Sequence, residues 1–259
     1  TPAENFRLFR NGVEVALYTS VPTGQIPADG YIEFWGKAND GEPDRPLYRD
    51  ARFQHSTRYN LHSDTAVYFL TAETGSISKR FQSVPNNIAA NTLPAEPYFL
   101  HTVGAHFKQQ INTGFAADLE QYVYSSSYDR GEFWSSTDIR QRTTRTENLS
   151  NLKPVVTGPD AVLRFGAFGN TVKTRTIRAA VNGSIVKDTV MNFFSDLITT
   201  TSFSSNLLSS GSAAVAFTNV QPPAPPGVPD PYLDRMVLSF YELTYPREFD
   251  FANATQFAF

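Results

Sequence analysis

The stretch Asp234-Arg235-Met236-Val237-Leu238-Ser239-Phe240-Tyr241-Glu242-Leu243-Thr244-Tyr245-Pro246-Arg247 reads as one long β-strand ending in a stop. A strand so rich in large apolar and aromatic residues needs a sheet to lie in. Two Asn-Gly pairs supply the turns of such a sheet. Asn11-Gly12 separates Phe6–Arg10 from Val13–Tyr18, and Asn182-Gly183 separates Thr174–Val181 from Ser184–Val186. Both residue types tolerate positive φ, so Asn-Gly between strand-like runs is the strongest short hairpin signal. Further strands read at Tyr31–Gly36, Thr65–Thr71 and Ala161–Phe168.

Between these runs the chain is less regular. Residues 37–64 form a long polar loop with Asp40-Gly41, Pro43 and Pro46; a loop of this length inside a compact domain is functional or wrapped on the surface. Ala116–Tyr124 has room for two helical turns, and Val190–Thr199 fits either period. Thr199–Ser212 reads as a Ser/Thr-rich loop with one short strand. The proline-rich run from Gln221 to Pro231 lacks backbone donors at its prolines and reads as a stiff surface crossover within one sandwich. A soft boundary falls near residues 83–96. The expectation is an all-β chain: a small N-terminal β-domain over 1–90, then a jelly-roll-like β-sandwich over 91–259.

Composition supports sheets and narrows function. Aromatic residues make up 14% of the 259 residues and charged residues 18%, with a net charge of −3. Large rings suit half-buried pleated surfaces. There is no concentrated basic face of the kind a phosphate backbone requires, so nucleic acid is not an expected partner. No run approaches the roughly 18 apolar residues of a membrane span. With no cysteine, disulfides, thiolate metal sites and a thiol nucleophile are excluded within the chain.

Few residues offer chemistry. Asp40, Glu42 and Asp44 stand at alternate positions around Gly41 and Pro43, a pattern that can present several oxygens to calcium. Asp230 and Asp234, flanking Pro231, are a weaker set of the same kind. His55 and His62 fall in the long loop. His101 and His106, five apart, face opposite sides of any strand that holds them. No His-Glu-x-x-His pattern or Gly-x-Ser-x-Gly elbow occurs, so a structural or exposed role is expected for the histidines. Glu33, Glu132 and Glu242 sit in strand-like settings, but nothing marks two of them as a glycosidase pair. Trp35, Trp134, Tyr122, Tyr124 and Tyr128 could stack on sugar rings, although aromatics this plentiful are expected to pack in the sheet core.

Four stretches carry a resemblance. They are Phe6–Val15; Gly30–Gly36 with Asn39-Asp40-Gly41, Asp44, Leu47-Tyr48 and Ser63–Leu70; Tyr128–Trp134; and Val181-Asn182-Gly183 with Tyr241–Arg247. In order along nearly the whole chain, they resemble the non-catalytic N-terminal region of gingipain-type cysteine peptidases. Among these they look like the large peptidase-like proteins, sortase included, of the Bacteroidetes type IX secretion system. The resemblance implies exported β-domains preceding a caspase-like domain with a His–Cys pair, which no position here matches. It also implies a secreted or cell-surface location and the downstream peptidase domain as partner, with other proteins or glycans as further partners. Where relatives carry an aspartate-rich turn, Pro22–Asp29 has one acid. The expectation is a non-catalytic accessory region without a cofactor beyond calcium. The alternative is a carbohydrate-binding or adhesion module.

Overall fold

The computed structural model describes residues 1–75, 78–118, 121–126, 128–221, 226–227, 234–251, 254 and 257. The proline-rich run falls largely outside the described residues, as does Asp230. The chain is all-β, its strands joined by turns and short 3-10 helices. It divides into two units: residues 1–40 with 62–94, and residues 41–61 with 95–259.

The smaller unit contains a three-stranded antiparallel sheet, with Phe6–Arg10 between Val13–Val15 and Phe69–Ala72. Leu17–Thr19 pairs with Ile32–Phe34 beside it. The first Asn-Gly turn forms as its chemistry requires: Asn11 and Gly12 take φ of 48° and 76° and join paired Arg10 and Val13. Its apolar interior is slight. Leu8 and Leu17 are buried, whereas Phe69 and Leu70 stay exposed.

The larger unit is a sandwich of two antiparallel sheets. One holds Thr144–Leu149, Ala213–Val220, Thr174–Val181 and Ser184–Asn192 in that spatial order. The other is built on Arg235–Arg247, which pairs with Ala161–Gly169, Phe99–His106 and Ile139–Arg140; Asp196–Phe203 is the outer strand beyond Ala161–Gly169. Alternate residues such as Leu163, Phe165, Ile177, Val181, Val215, Phe217, Leu238 and Leu243 meet between the sheets and form the main core. Burying each such side chain contributes roughly 1.5–3 kcal/mol.

Two elements differ from the sequence reading. The described residues of Ala116–Tyr124 are strand: Phe115–Asp118 and Gln121–Tyr124 pair as an antiparallel ribbon, where aromatic β-propensity prevails over a weak helical period. Val190–Thr199 is strand on both sides of a turn, and strand continues to Phe203 before a 3-10 turn at Ser205–Leu208.

Arg235–Arg247 is buried on both faces along most of its length. One face meets the opposite sheet. The other is partly roofed by residues 41–61, which carry the 3-10 helices Glu42–Leu47 and Ala51–Phe53. The strand also carries a bulge. Gly166 pairs with Phe240 and Ala167 with Leu238, so Ser239 has no cross-strand partner in that register. A bulge re-aims the side chain at the extra residue, and here that side chain meets the roof.

Candidate functional site

The roofed face of the sheet brings several polar side chains together. Three strands lie side by side there, and register fixes which residues meet. Arg164 stands opposite Glu242, and Gly166 stands between Phe240 and Ile198. A side chain at Gly166 would overlap Ser239 Oγ and crowd His55 Nδ1, so the glycine is what lets the roof approach.

Two consecutive roof residues reach down. Ser56 Oγ lies 2.9 Å from His106 Nδ1, and His106 Nε2 lies 2.9 Å from Glu242 Oε1. Glu242 Oε2 accepts from Arg164 at 2.9 Å, and the Arg164 guanidinium covers the Phe240 ring. Burial pushes the His106 pKa down, against the pull of Glu242, so the imidazole is neutral near pH 7. Burial raises the Glu242 pKa, but hydrogen bonds from His106 and Arg164 outweigh it and hold the carboxyl below its ordinary value. The consistent tautomer has Nε2–H donating to Glu242 and Nδ1 accepting from the Ser56 hydroxyl.

Hydroxyl, imidazole and carboxylate in series is the order used in acyl transfer. Here the hydroxyl also accepts the Arg58 backbone N–H at 3.2 Å, and Ser56 is buried. A buried serine so engaged ties a roof to a sheet.

His55 makes the second tie. Its Nδ1 lies 2.9 Å from Ser239 Oγ, and its ring stacks on Phe133 at 4.4 Å between centroids. The imidazole is fully buried, and burial drives its pKa down. Its Nε2 makes no hydrogen bond. Asp196 Oδ2 is the carboxylate it faces, at 3.8 Å, too far for a hydrogen bond but near enough for Coulombic attraction. Asp196 lines a cleft of about 480 Å³ with Arg52, Phe53, Arg130 and Ile198. Arg130 stacks its guanidinium 4.7 Å above the Phe53 ring and approaches Asp196 Oδ1 no nearer than 3.9 Å.

The residues singled out for calcium have other partners. Asp40 pairs with Lys37 at 2.6 Å in the smaller unit. Glu42 is exposed. Asp44 is buried in the larger unit, where one oxygen accepts from Asn60 and the other from the Leu61 N–H at 2.7 Å. Both Asp44 oxygens therefore serve protein donors that close the roof loop. Asp234 is fully buried against Arg175, Asn219 and Thr171, so its counter-charge is a guanidinium. Among the described residues, no group of three or more His, Asp or Glu side chains gathers in metal-holding geometry.

The aromatics depart from the expectation of core packing. Trp35 is 80% exposed and Tyr122 69% exposed, and Tyr124 is also exposed. Trp134 is half-buried; its indole N–H donates to the Asn60 carbonyl at 3.0 Å, and Lys108 lies over its ring. The Tyr128 side chain lies outside the described residues. His101 and His106 take opposite faces of their strand, His101 against Tyr245 and His106 against Phe240. The composite of Ser56, His106, Glu242 and Arg164 was not visible in sequence, because its members are as much as 186 positions apart (56 to 242).

These features define the class as a two-sheet antiparallel sandwich with a polar, roofed sheet face. No protein-family profile matches the chain, and no curated protein matches it. Among solved structures it is similar to dimeric latent PorU from Porphyromonas gingivalis, with 11% identity and a TM-score of 0.51. That match covers 97% of this chain and 22% of the PorU chain, so this chain spans about a fifth of that protein's length. It also matches a family 36 carbohydrate-binding module in complex with calcium and xylotriose, at 10% identity and TM-score 0.30, over 55% of this chain and 98% of the module. A family 35 module from Clostridium thermocellum matches at 12% identity and TM-score 0.28, over 55% of this chain and 90% of the module. Identity at these levels shows fold alone, and the two module matches are too loose to support an argument. No helix among the described residues is long and apolar enough to cross a membrane.

Proposed function

We propose that the chain is a non-catalytic accessory region of a larger secreted or cell-surface protein of the gingipain-like peptidase type, and that it acts by holding a neighbouring peptidase domain and engaging partner proteins. The observation that carries the reading is the fold correspondence with PorU, which runs along 97% of this chain and takes up only part of the longer protein. The sequence resemblance in four ordered stretches supports it. So does the polar chemistry of the roofed face, where Ser56, His106 and Glu242 serve as ties. The proposed division is a first domain over 1–90 and a second over 91–259, with residues 41–61 reaching out of the first to pack with the second.

The test is direct. The purified chain is incubated with a broad peptide library, and separately mixed with the peptidase domain of the same polypeptide. The reading expects no turnover and a complex that raises the melting temperature of the peptidase domain. Peptide hydrolysis that disappears in His106→Ala would overturn it.

Exposed Trp35, Tyr122 and Tyr124 favour a second reading, glycan binding by aromatic stacking. A glycan array probed with the native chain and with Tyr122→Ala decides it: a bound sugar lost in the variant establishes that reading. For the loop with Asp40, Glu42 and Asp44 we assign Asp44 the role of a loop staple. Millimolar calcium is expected to leave the melting temperature unchanged; a rise of several degrees would restore the cation role.

A further inference from the structure

Arg130 has an unusual position. Two depressions meet at it, the 480 Å³ cleft already described and a second of about 420 Å³ beside Tyr124, Phe193 and Ser195. Its guanidinium lies over the Phe53 ring, the nearest Asp196 oxygen is 3.9 Å away, and Asp50 adds a further, longer-range attraction. The other arginines nearby are closed: Arg52 forks onto Asp50, and Arg49 onto Asp129. A planar guanidinium offers five donors; here the group rests over an aromatic ring, half exposed, and makes no side-chain hydrogen bond among the described residues.

Asp196 is the complement. His55 approaches it from within the fold and Arg130 from the cleft, both beyond hydrogen-bond reach. The buried His55 Nε2, without a partner, points at that carboxylate. A donor fork and an acceptor carboxylate therefore stand side by side, each with unused capacity. Phe193, in the second depression, is exposed and holds φ at 52°. A non-glycine residue in the left-handed region is costly and concentrates where a binding surface needs it.

The backbone next to this pair is a sheet margin. Asp196–Phe203 pairs with Ala161–Gly169 on one side and is the outer strand of its sheet. Further along, Thr201 Oγ1 donates to the Val186 carbonyl at 3.0 Å and ties that part to the opposite sheet. The end at Asp196 and Ile198 faces the cleft.

We propose that this cleft and strand end bind an extended acidic peptide segment of a partner protein. An Asp or Glu side chain of the segment takes the Arg130 fork, a segment N–H donates to Asp196, and the segment's main chain lies along the Asp196–Ile198 end of the edge, short of the tie at Thr201. A peptide supplies an anion and a neighbouring N–H together, which is the combination these two residues leave unfilled. The inference rests on the partner-engaging role proposed above and adds the chemistry of the partner.

The experiment uses the whole chain and a fluorescein-labelled peptide of alternating Glu and Val, followed by fluorescence anisotropy. The peptide is expected to bind, more weakly as salt rises, while an alternating Lys-Val peptide does not. Arg130→Ala is expected to weaken binding roughly tenfold or more, and Arg130→Lys to recover only part because the fork is lost. Circular dichroism and melting check that both variants keep the fold. Absence of binding, equal binding by Arg130→Ala, or preference for an acidic oligosaccharide such as oligogalacturonate overturns the inference. Each of these leaves the accessory reading standing. Hydrolysis of peptides by the chain would instead remove that reading while leaving peptide binding intact.

Discussion

Two Arg–Asp pairs in the larger unit use the same chemistry to opposite ends. Arg175 and Asp234 are both fully buried, 2.8 Å apart. Arg175 also donates to the Thr171, Lys173 and Phe193 carbonyls, and Asp234 also accepts from Asn219. Arg130 and Asp196 are partly exposed, 3.9 Å apart, with capacity left over. A buried charge must be saturated by its own fold because desolvation is costly. A charge at a cleft margin has water as an alternative partner, so the fold can leave it open to a ligand. Saturation marks the first pair as structural, and the open geometry marks the second as a recognition candidate.

The largest effect that would break this contrast lies in the core. Arg175→Met leaves Asp234 buried without its counter-charge and should cost about 3–5 kcal/mol, read as a shift of the urea midpoint. Adding Asp234→Leu should restore most of it, since the penalty belongs to the orphaned charge. If Arg175→Met is neutral, burial does not separate the two pairs.

His55→Leu ranks next. It leaves Ser239 Oγ at the bulge without its partner, removes the stack on Phe133, and should cost about 1–3 kcal/mol. Limited proteolysis would then cut within residues 41–61 before the sandwich is digested. Uniform digestion would show that the roof has no separate anchorage.

Acid should act on the same anchorage. The pKa values of both His55 and His106 are lowered by burial from an ordinary 6.5. The unfolded chain therefore binds protons that the folded chain refuses. Stability is full above pH 6.5 and falls as the pH drops below it, by at most about 1.4 kcal/mol per pH unit for each histidine. Equilibrium melts between pH 7 and 5 read the slope, and His55→Leu should flatten it. A slope unchanged in that variant would place the titration elsewhere.

The smallest stability effects belong to the open residues. Arg130→Ala loses a stack on Phe53 and should change stability by less than about 1 kcal/mol, while its binding effect is large. Trp35→Ala, at an 80% exposed site, should stay within about 0.5 kcal/mol. A large loss of stability at either would turn a recognition residue into a packing one.

Much of the sandwich was legible because its signals are local. Asn182 and Gly183 adopt φ of 48° and 83°, and Val181 pairs with Ser184, as an Asn-Gly turn demands. Ala161–Arg164 alternates because a strand's period is two, and from Phe165 on both faces are covered. Ala116–Tyr124 was misread because so short a segment fits both periods, and the partner strand decides. Trp35 is exposed because it lies one residue past the strand Ile32–Phe34, and apolar identity alone does not say where a strand ends. The roof ties were not legible at all. His55 meets Ser239 across 184 positions, and no spacing rule reaches that far.

The sequence by itself determined where strands start and turn, that sheets would pack on aromatic and aliphatic faces, and that no thiol chemistry is available. These follow from backbone sterics and side-chain transfer, which act within a few residues. Only the tertiary structure decided that a polar loop roofs the long terminal strand, that a bulge at Ser239 turns a hydroxyl toward His55, and that Arg130 faces a cleft beside Asp196. Those depend on strand register, and register is fixed by the packing of segments remote in sequence.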